Sequence, residues 1–137
     1  MRVVLDSNVL IAAFVARGLC AELLEHCVKE HEPVVSEFIL EEVQRNLVSK
    51  MGVPAPEAGT AVSLLRSRFE VVEPTSLPAE SCRDANDVVV IGTAVAGHCE
   101  LLVTGDRDLL GLERYENVRI VSPAAFWRVE VENPPNR

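Results

Sequence analysis

Four short apolar runs decide what this chain can become. Arg2-Val3-Val4-Leu5, Pro33-Val34-Val35, Leu101-Leu102-Val103 and Val118-Arg119-Ile120-Val121 are each too short for a globular helix, rich in β-branched or aliphatic residues, and ended by polar, glycine or proline positions. The segments between them carry apolar residues at helical spacing. Strands joined through helices need crossover connections, and crossovers build a parallel sheet covered on both faces. The chain is therefore expected to be α/β. In such sheets ligands gather beyond the carboxyl ends of the strands, so whatever stands directly after each run deserves scrutiny.

The periodicity predicts helices over 9–15 and 19–28, broken at Gly18. Ser36 is placed to cap a helix reaching about Lys50, whose cation suits its last turn. A helix over 56–69, a short strand at 70–72 and a Pro-rich loop over 74–80 follow. Asp84 and Asp87 have capping-box spacing ahead of the apolar helix 88–95. DRDLLGL, which includes Asp108, reads as a short helix. Pro123–Trp127 reads as another, with the rest as a loose tail. One domain over 1–128 and a flexible C-terminal tail over 129–137 are expected.

Composition removes several functions. Only 4% of the 137 residues are aromatic, too few for rows of base-stacking platforms. A net charge of −8 repels polyanions, except at an acidic site whose bound divalent cations reverse the local field. Cys20, Cys27, Cys82 and Cys99 form no C-x-x-C pair and are expected to be free thiols. Asp6 interrupts the N-terminal apolar run before it reaches the length of a signal peptide's core, and no membrane span is present in the sequence. A cytoplasmic protein with no membrane association is expected.

Acidic residues occupy the expected rim. Asp6 follows the first run, Asp106 follows the third, and Asp87 opens the helix that leads into the third. Asp84 has the better N-cap position, which leaves Asp87 available for chemistry. In SEFILEEVQRNL, Ile39, Leu40, Val43 and Leu47 centre one helical face; Glu42 flanks it and Glu41 points away. Converging carboxylates without cations raise one another's pKa, whereas oxygen-rich acidic clusters suit Mg²⁺ or Mn²⁺. Such ions activate water and clamp a scissile phosphate, which points to phosphodiester hydrolysis. Asn8 and Thr104 are candidate supports for Asp6 and Asp106. Arg83 and Arg107 adjoin the acids and are candidates to meet phosphates. His26, His31 and His98 share no spacing with the acids or one another and are given no chemistry.

The ordered set D-S-N (Asp6-Ser7-Asn8), E-E-V (Glu42), D-V-V-V-I-G-T-A (Asp87) and L-V-T-G-D-R-D-L-L (Asp106) resembles a PIN domain, particularly the VapC-like toxins of bacteria and archaea. The likeness runs to about Trp127. It implies a three-layer α/β/α fold with a central, mainly parallel sheet. It also implies a Mg²⁺- or Mn²⁺-dependent ribonuclease whose ligands correspond to Asp6, Glu42, Asp87 and Asp106, with Asp84 leaving the third position ambiguous. Relatives of this kind are commonly held inactive by a cognate antitoxin and often form homodimers. Two rivals stand beside this reading. One is a phosphatase of the haloacid-dehalogenase kind, disfavoured because Asn8 occupies the place of its second Asp. The other is a non-catalytic acidic binding module for a basic partner.

Overall fold

The computed structural model describes residues 1–132 apart from Arg17. Six strands form one sheet: β1 (Arg2–Leu5), β2 (Glu32–Val35), β3 (Glu70–Val71), β4 (Leu101–Val103), β5 (Arg114–Tyr115) and β6 (Val118–Val121), in the order β3-β2-β1-β4-β6-β5. All neighbours run parallel except β5, which returns antiparallel to β6. The predicted α/β class and mainly parallel sheet are what the chain adopts.

The helices are α1 (Ser7–Val15), α2 (Leu19–Glu30), α3 (Glu37–Ser49), α4 (Ala55–Arg68), α5 (Ala85–Ala96), α6 (Arg107–Leu112) and α7 (Pro123–Glu132), with a 3₁₀ turn at Ala79–Ser81. From β1 the chain moves outward through β2 to β3, then reverses across the sheet to β4. With right-handed crossovers that reversal places α5 on the face opposite α1–α4. It also makes the β1–β4 seam the switch point of the sheet, where a ligand crevice opens at the carboxyl ends. β1, β2 and β4 are buried along almost their whole length, which is why they read as continuous apolar runs.

Local chemistry sets the boundaries. Gly18, with φ of 143°, supplies the break between α1 and α2. The Ser36 side chain accepts from Ile39 N at the start of α3, as expected of a cap, but Lys50 falls on the C-cap and α3 has no cation in its last turn. Ile39, Leu40, Val43 and Leu47 are the buried residues of α3. At α5, Asp84 caps by accepting from Asn86 N at 2.8 Å rather than from Asp87 N, and Asp87 Oδ2 has no partner, so the expected capping box does not form.

The C-terminal boundary also needs correction. The last helix does not stop at Trp127: α7 continues to Glu132, burying Val129 and Glu130. The expected tail boundary at 129 therefore falls inside a helix, and 133–137 lie outside the described residues. The hairpin strand β5 went unforeseen, because its turns use Glu113 (φ 62°) and Glu116 (φ 51°) where glycine or asparagine would have signalled them. The four cysteines are free, Cys27 and Cys99 buried and the others half-buried. Among the described residues no single helix is long and apolar enough to cross a membrane.

Candidate active site

Asp6 stands where β1 becomes α1, and its backbone stays in the sheet by donating to Val103 O at 2.9 Å. Asp6 is 4% exposed, and both its carboxylate oxygens are hydrogen-bonded. Oδ1 accepts from Ser7 N at 2.8 Å; Oδ2 accepts from the Thr104 hydroxyl at 2.8 Å and the Asn8 amide at 3.2 Å. Burial raises the Asp6 pKa against the bonds from Thr104 and Ser7, and the charges of Glu42 and Asp106 push the same way as burial. Thr104 also accepts from Asp106 N at 3.0 Å, and Asn8 Oδ1 accepts from Gly105 N at 3.0 Å. These two side chains therefore sew the loop after β1 to the loop after β4.

Asp106 caps α6, its Oδ1 accepting from Asp108 N at 2.8 Å and Leu109 N at 3.2 Å. Asp87, in the first turn of α5, is buried, and its Oδ2 has no partner. Asp87, Asp106 and Asp108 each bring a carboxylate oxygen within 4.8 Å of the others. Desolvation first, then Asp106, Asp84, Asp6 and Asp108, raise the Asp87 pKa to about 7. Asp108 thus combines its predicted first-turn position with a place in the cluster, while Asp84 is exposed and occupied with capping.

Glu42 approaches from α3. It is half-buried, Glu41 is exposed, and the Ser7 hydroxyl donates to Glu42 Oε1. Arg45 lies 4.0 Å from Glu42 Oε2. Ser7, which joins Glu42 to Asp6, is not among the residues that the sequence singles out, since serine in D-S-N at a helix start looks like turn chemistry alone. The helices carrying Glu42 and Asp87 are tied together by the buried Ser36 and Thr93 hydroxyls, 2.9 Å apart. Arg83 and Arg107 are exposed beside the acids.

Of the predicted acids, Asp87 and Asp106 converge with Asp108, Asp6 and Glu42 adjoin that cluster as charged neighbours without an oxygen in it, and Asp84 remains an exposed cap. An unpartnered buried carboxylate oxygen in a nest of like charges is costly unless a proton or cation joins it. Its donors are all oxygen, which suits a hard divalent cation.

The profile of the PIN domain family matches residues 2–108. No curated protein matches the chain. Solved structures do resemble it. VapBC2 from Rickettsia felis, bound to a DNA fragment from its promoter, superposes with a TM-score of 0.67 at 20% identity, covering 89% of this chain and 98% of that one. PAE2754 from Pyrobaculum aerophilum gives 0.64 at 16% identity, over 97% and 91%. VapBC-1 from nontypeable Haemophilus influenzae gives 0.64 at 17% identity, over 90% and 99%. These likenesses speak to the fold, and the profile match, which spans most of the chain, shows that the chain belongs to the PIN domain family.

Proposed function

We propose that this chain is a divalent-metal-dependent endoribonuclease and the toxin of a toxin–antitoxin pair. The observation that carries the reading is the partnerless Asp87 Oδ2 beside Asp106 and Asp108, with Asp6 and Glu42 adjoining, at the switch point of the sheet. The residues present fit Mg²⁺ or Mn²⁺: Asp6, Glu42, Asp87 and Asp106 would hold it, with Asp108 close enough to assist. Bound there, such an ion acidifies an attacking water and neutralises charge on the scissile phosphate.

The protein's own groups prepare that chemistry. Ser7, Asn8 and Thr104 fix Asp6 and Glu42 before substrate arrives, so little reorganisation is left for the reaction itself. Arg83 and Arg107 supply cations for RNA phosphates next to an edge that otherwise repels them. Asn8 donates its amide to Asp6 and cannot serve as the acid–base partner of a phosphoryl-aspartate mechanism, so the phosphatase reading gains nothing.

The partner proposal rests on relatives and on one surface. VapBC2, VapBC-1 and FitAcB from Neisseria gonorrhoeae are structural neighbours, and the neighbour Utp24 is described as a PIN domain endonuclease. A largely apolar cleft of about 340 Å³ between α1, α2 and α4, lined by Phe14, Leu24, Val28, Leu64 and Phe69, offers an antitoxin segment a place to bury side chains. Homodimerisation and a cytoplasmic location belong to the same proposal.

Purified protein incubated with labelled structured and single-stranded RNAs, with Mn²⁺ or with chelator, tests the activity. Cleavage that requires the ion and disappears in Asp6→Asn is expected. Cleavage that persists in chelator and in that variant overturns the reading. Failure of the wild-type protein to bind Mn²⁺ at millimolar concentrations favours the non-catalytic acidic module instead.

A further inference from the structure

His26, His31 and Glu130, for which sequence spacing suggested no relationship, meet far from the acidic edge. His26 lies in α2, His31 is its C-cap, and Glu130 comes from the part of α7 expected to be tail. Glu130 Oε1 lies 2.5 Å from His31 Nε2, and Oε2 lies 3.2 Å from His26 Nε2. One ligand atom from each residue falls within 4.8 Å of the others. Glu130 is 7% exposed, and the His31 side chain 1%. The His26 side chain is 23% exposed, which gives the cluster a route to solvent. Phe126 and Trp127 pack their rings around the imidazoles.

We propose that this triad is a second metal site, specific for zinc or a similar nitrogen-seeking divalent ion. A carboxylate buried in an aromatic wall needs positive charge beside it. A metal ion supplies that charge and gathers onto one centre the three side chains that already meet through hydrogen bonds. Two imidazole nitrogens with one carboxylate form a zinc donor set, with water left for the fourth position. Bonds of about 2.0–2.2 Å to a tetrahedral zinc set its ligand atoms roughly 3.3 Å apart. Each imidazole nitrogen now meets a different Glu130 oxygen, at 3.2 and 2.5 Å, and one ligand atom from each residue lies within 4.8 Å of the others, so small side-chain rotations bring one carboxylate oxygen and both nitrogens onto a single ion. The all-oxygen edge and this nitrogen-rich triad thus select different ions. The consequence for the fold is a clamp: α7 is fastened to α2 and to the start of β2.

The test uses the full chain carrying Asp6→Asn, loaded with Zn²⁺ in millimolar Mg²⁺ to occupy the acidic edge, desalted and assayed for zinc. One zinc per chain is expected, with Co²⁺ giving the absorption bands of a four-coordinate site. Trp127 is the chain's single tryptophan, its ring centroid 5.0 Å from that of His26, so its fluorescence should be quenched by Co²⁺. Glu130→Gln and His26→Gln should each weaken zinc affinity by more than about a hundredfold, beyond the usual loss of an outer-shell partner. His26 is partly exposed, so that variant decides the matter if Glu130→Gln fails to fold. No retained zinc, or retention unchanged in His26→Gln, overturns the proposal in favour of a purely hydrogen-bonded triad.

Discussion

The Ser7 hydroxyl donates to Glu42 Oε1 while the Ser7 backbone N–H donates to Asp6 Oδ1, so one residue holds two carboxylates from different elements in fixed relation. The backbone bond survives substitution by any residue but proline; the hydroxyl bond does not survive loss of the side chain. Ser7→Ala should therefore leave α1 capped but release Glu42 to turn toward Arg45. Outer-shell losses of this kind cost about 10–100-fold in metal affinity. Titration with Mn²⁺ followed by electron paramagnetic resonance should show that weakening with an unchanged melting temperature for the metal-free protein. Unaltered affinity would remove Ser7 from the site.

Asp84 and Asp87 divide their labour by three residues of helix. Asp84 is exposed and its carboxylate is spent on Asn86 N, whereas Asp87 is buried with an oxygen free. Asparagine caps as well as aspartate, so Asp84→Asn should preserve both stability and Mn²⁺ binding. Asp87→Asn keeps the shape but removes the charge, and binding should be lost. Calorimetric titration of both variants checks this, and equal losses would make Asp84 a ligand as well.

How far the chain could be read in advance follows from whether each signal was local. β1, β2 and β4 announced themselves because strands buried on both faces are written as unbroken apolar runs, and the choice of Glu42 over Glu41 needed only the 3.6-residue repeat. The acids after those strands could be placed at one edge by topology alone. Ser7 could not be, since its hydroxyl finds Glu42 only after α1 and α3 have packed. The length of α7 was hidden for the same reason: a glutamate at 130 looks like solvent-facing tail until His26 and His31, about a hundred positions earlier, come round to meet it. Asp108 read as a first-turn residue, which it is, and only the approach of α5 made it a neighbour of Asp87.

Gly92 lets the loop after β3 lie against α5, with Thr75 N donating to Gly92 O at 2.9 Å. A Cβ at position 92 would sit 2.4 Å from Thr75 O, a backbone atom with no rotamer to escape through. Gly92→Ala gains helix propensity worth up to about 1 kcal/mol but must displace that loop, and overpacking costs about 1–3 kcal/mol. Net destabilisation is expected by urea denaturation. A more stable variant would mean that the loop is free to move off the helix.

The acidic edge should also dictate how the metal-free protein responds to pH. Asp87 has its pKa raised from 3.8 to about 7, and that of Asp6 is raised as well, both led by desolvation. A carboxyl that holds its proton more tightly when folded gives the native state more bound protons than the unfolded chain between those two values. Stability must then fall as pH rises through that window, the reverse of a salt-bridged aspartate. Chelator-treated protein should accordingly unfold at lower urea near pH 7.5 than near pH 5, and Asp87→Asn should flatten the slope. Saturating Mn²⁺ should cancel or invert it, since a cation favours the ionised carboxylates that burial penalises. A metal-free protein that grows steadily more stable from pH 5 to pH 7.5 would show that these carboxylates are already charge-compensated from within the chain, and the case for a cation at this edge would go with it.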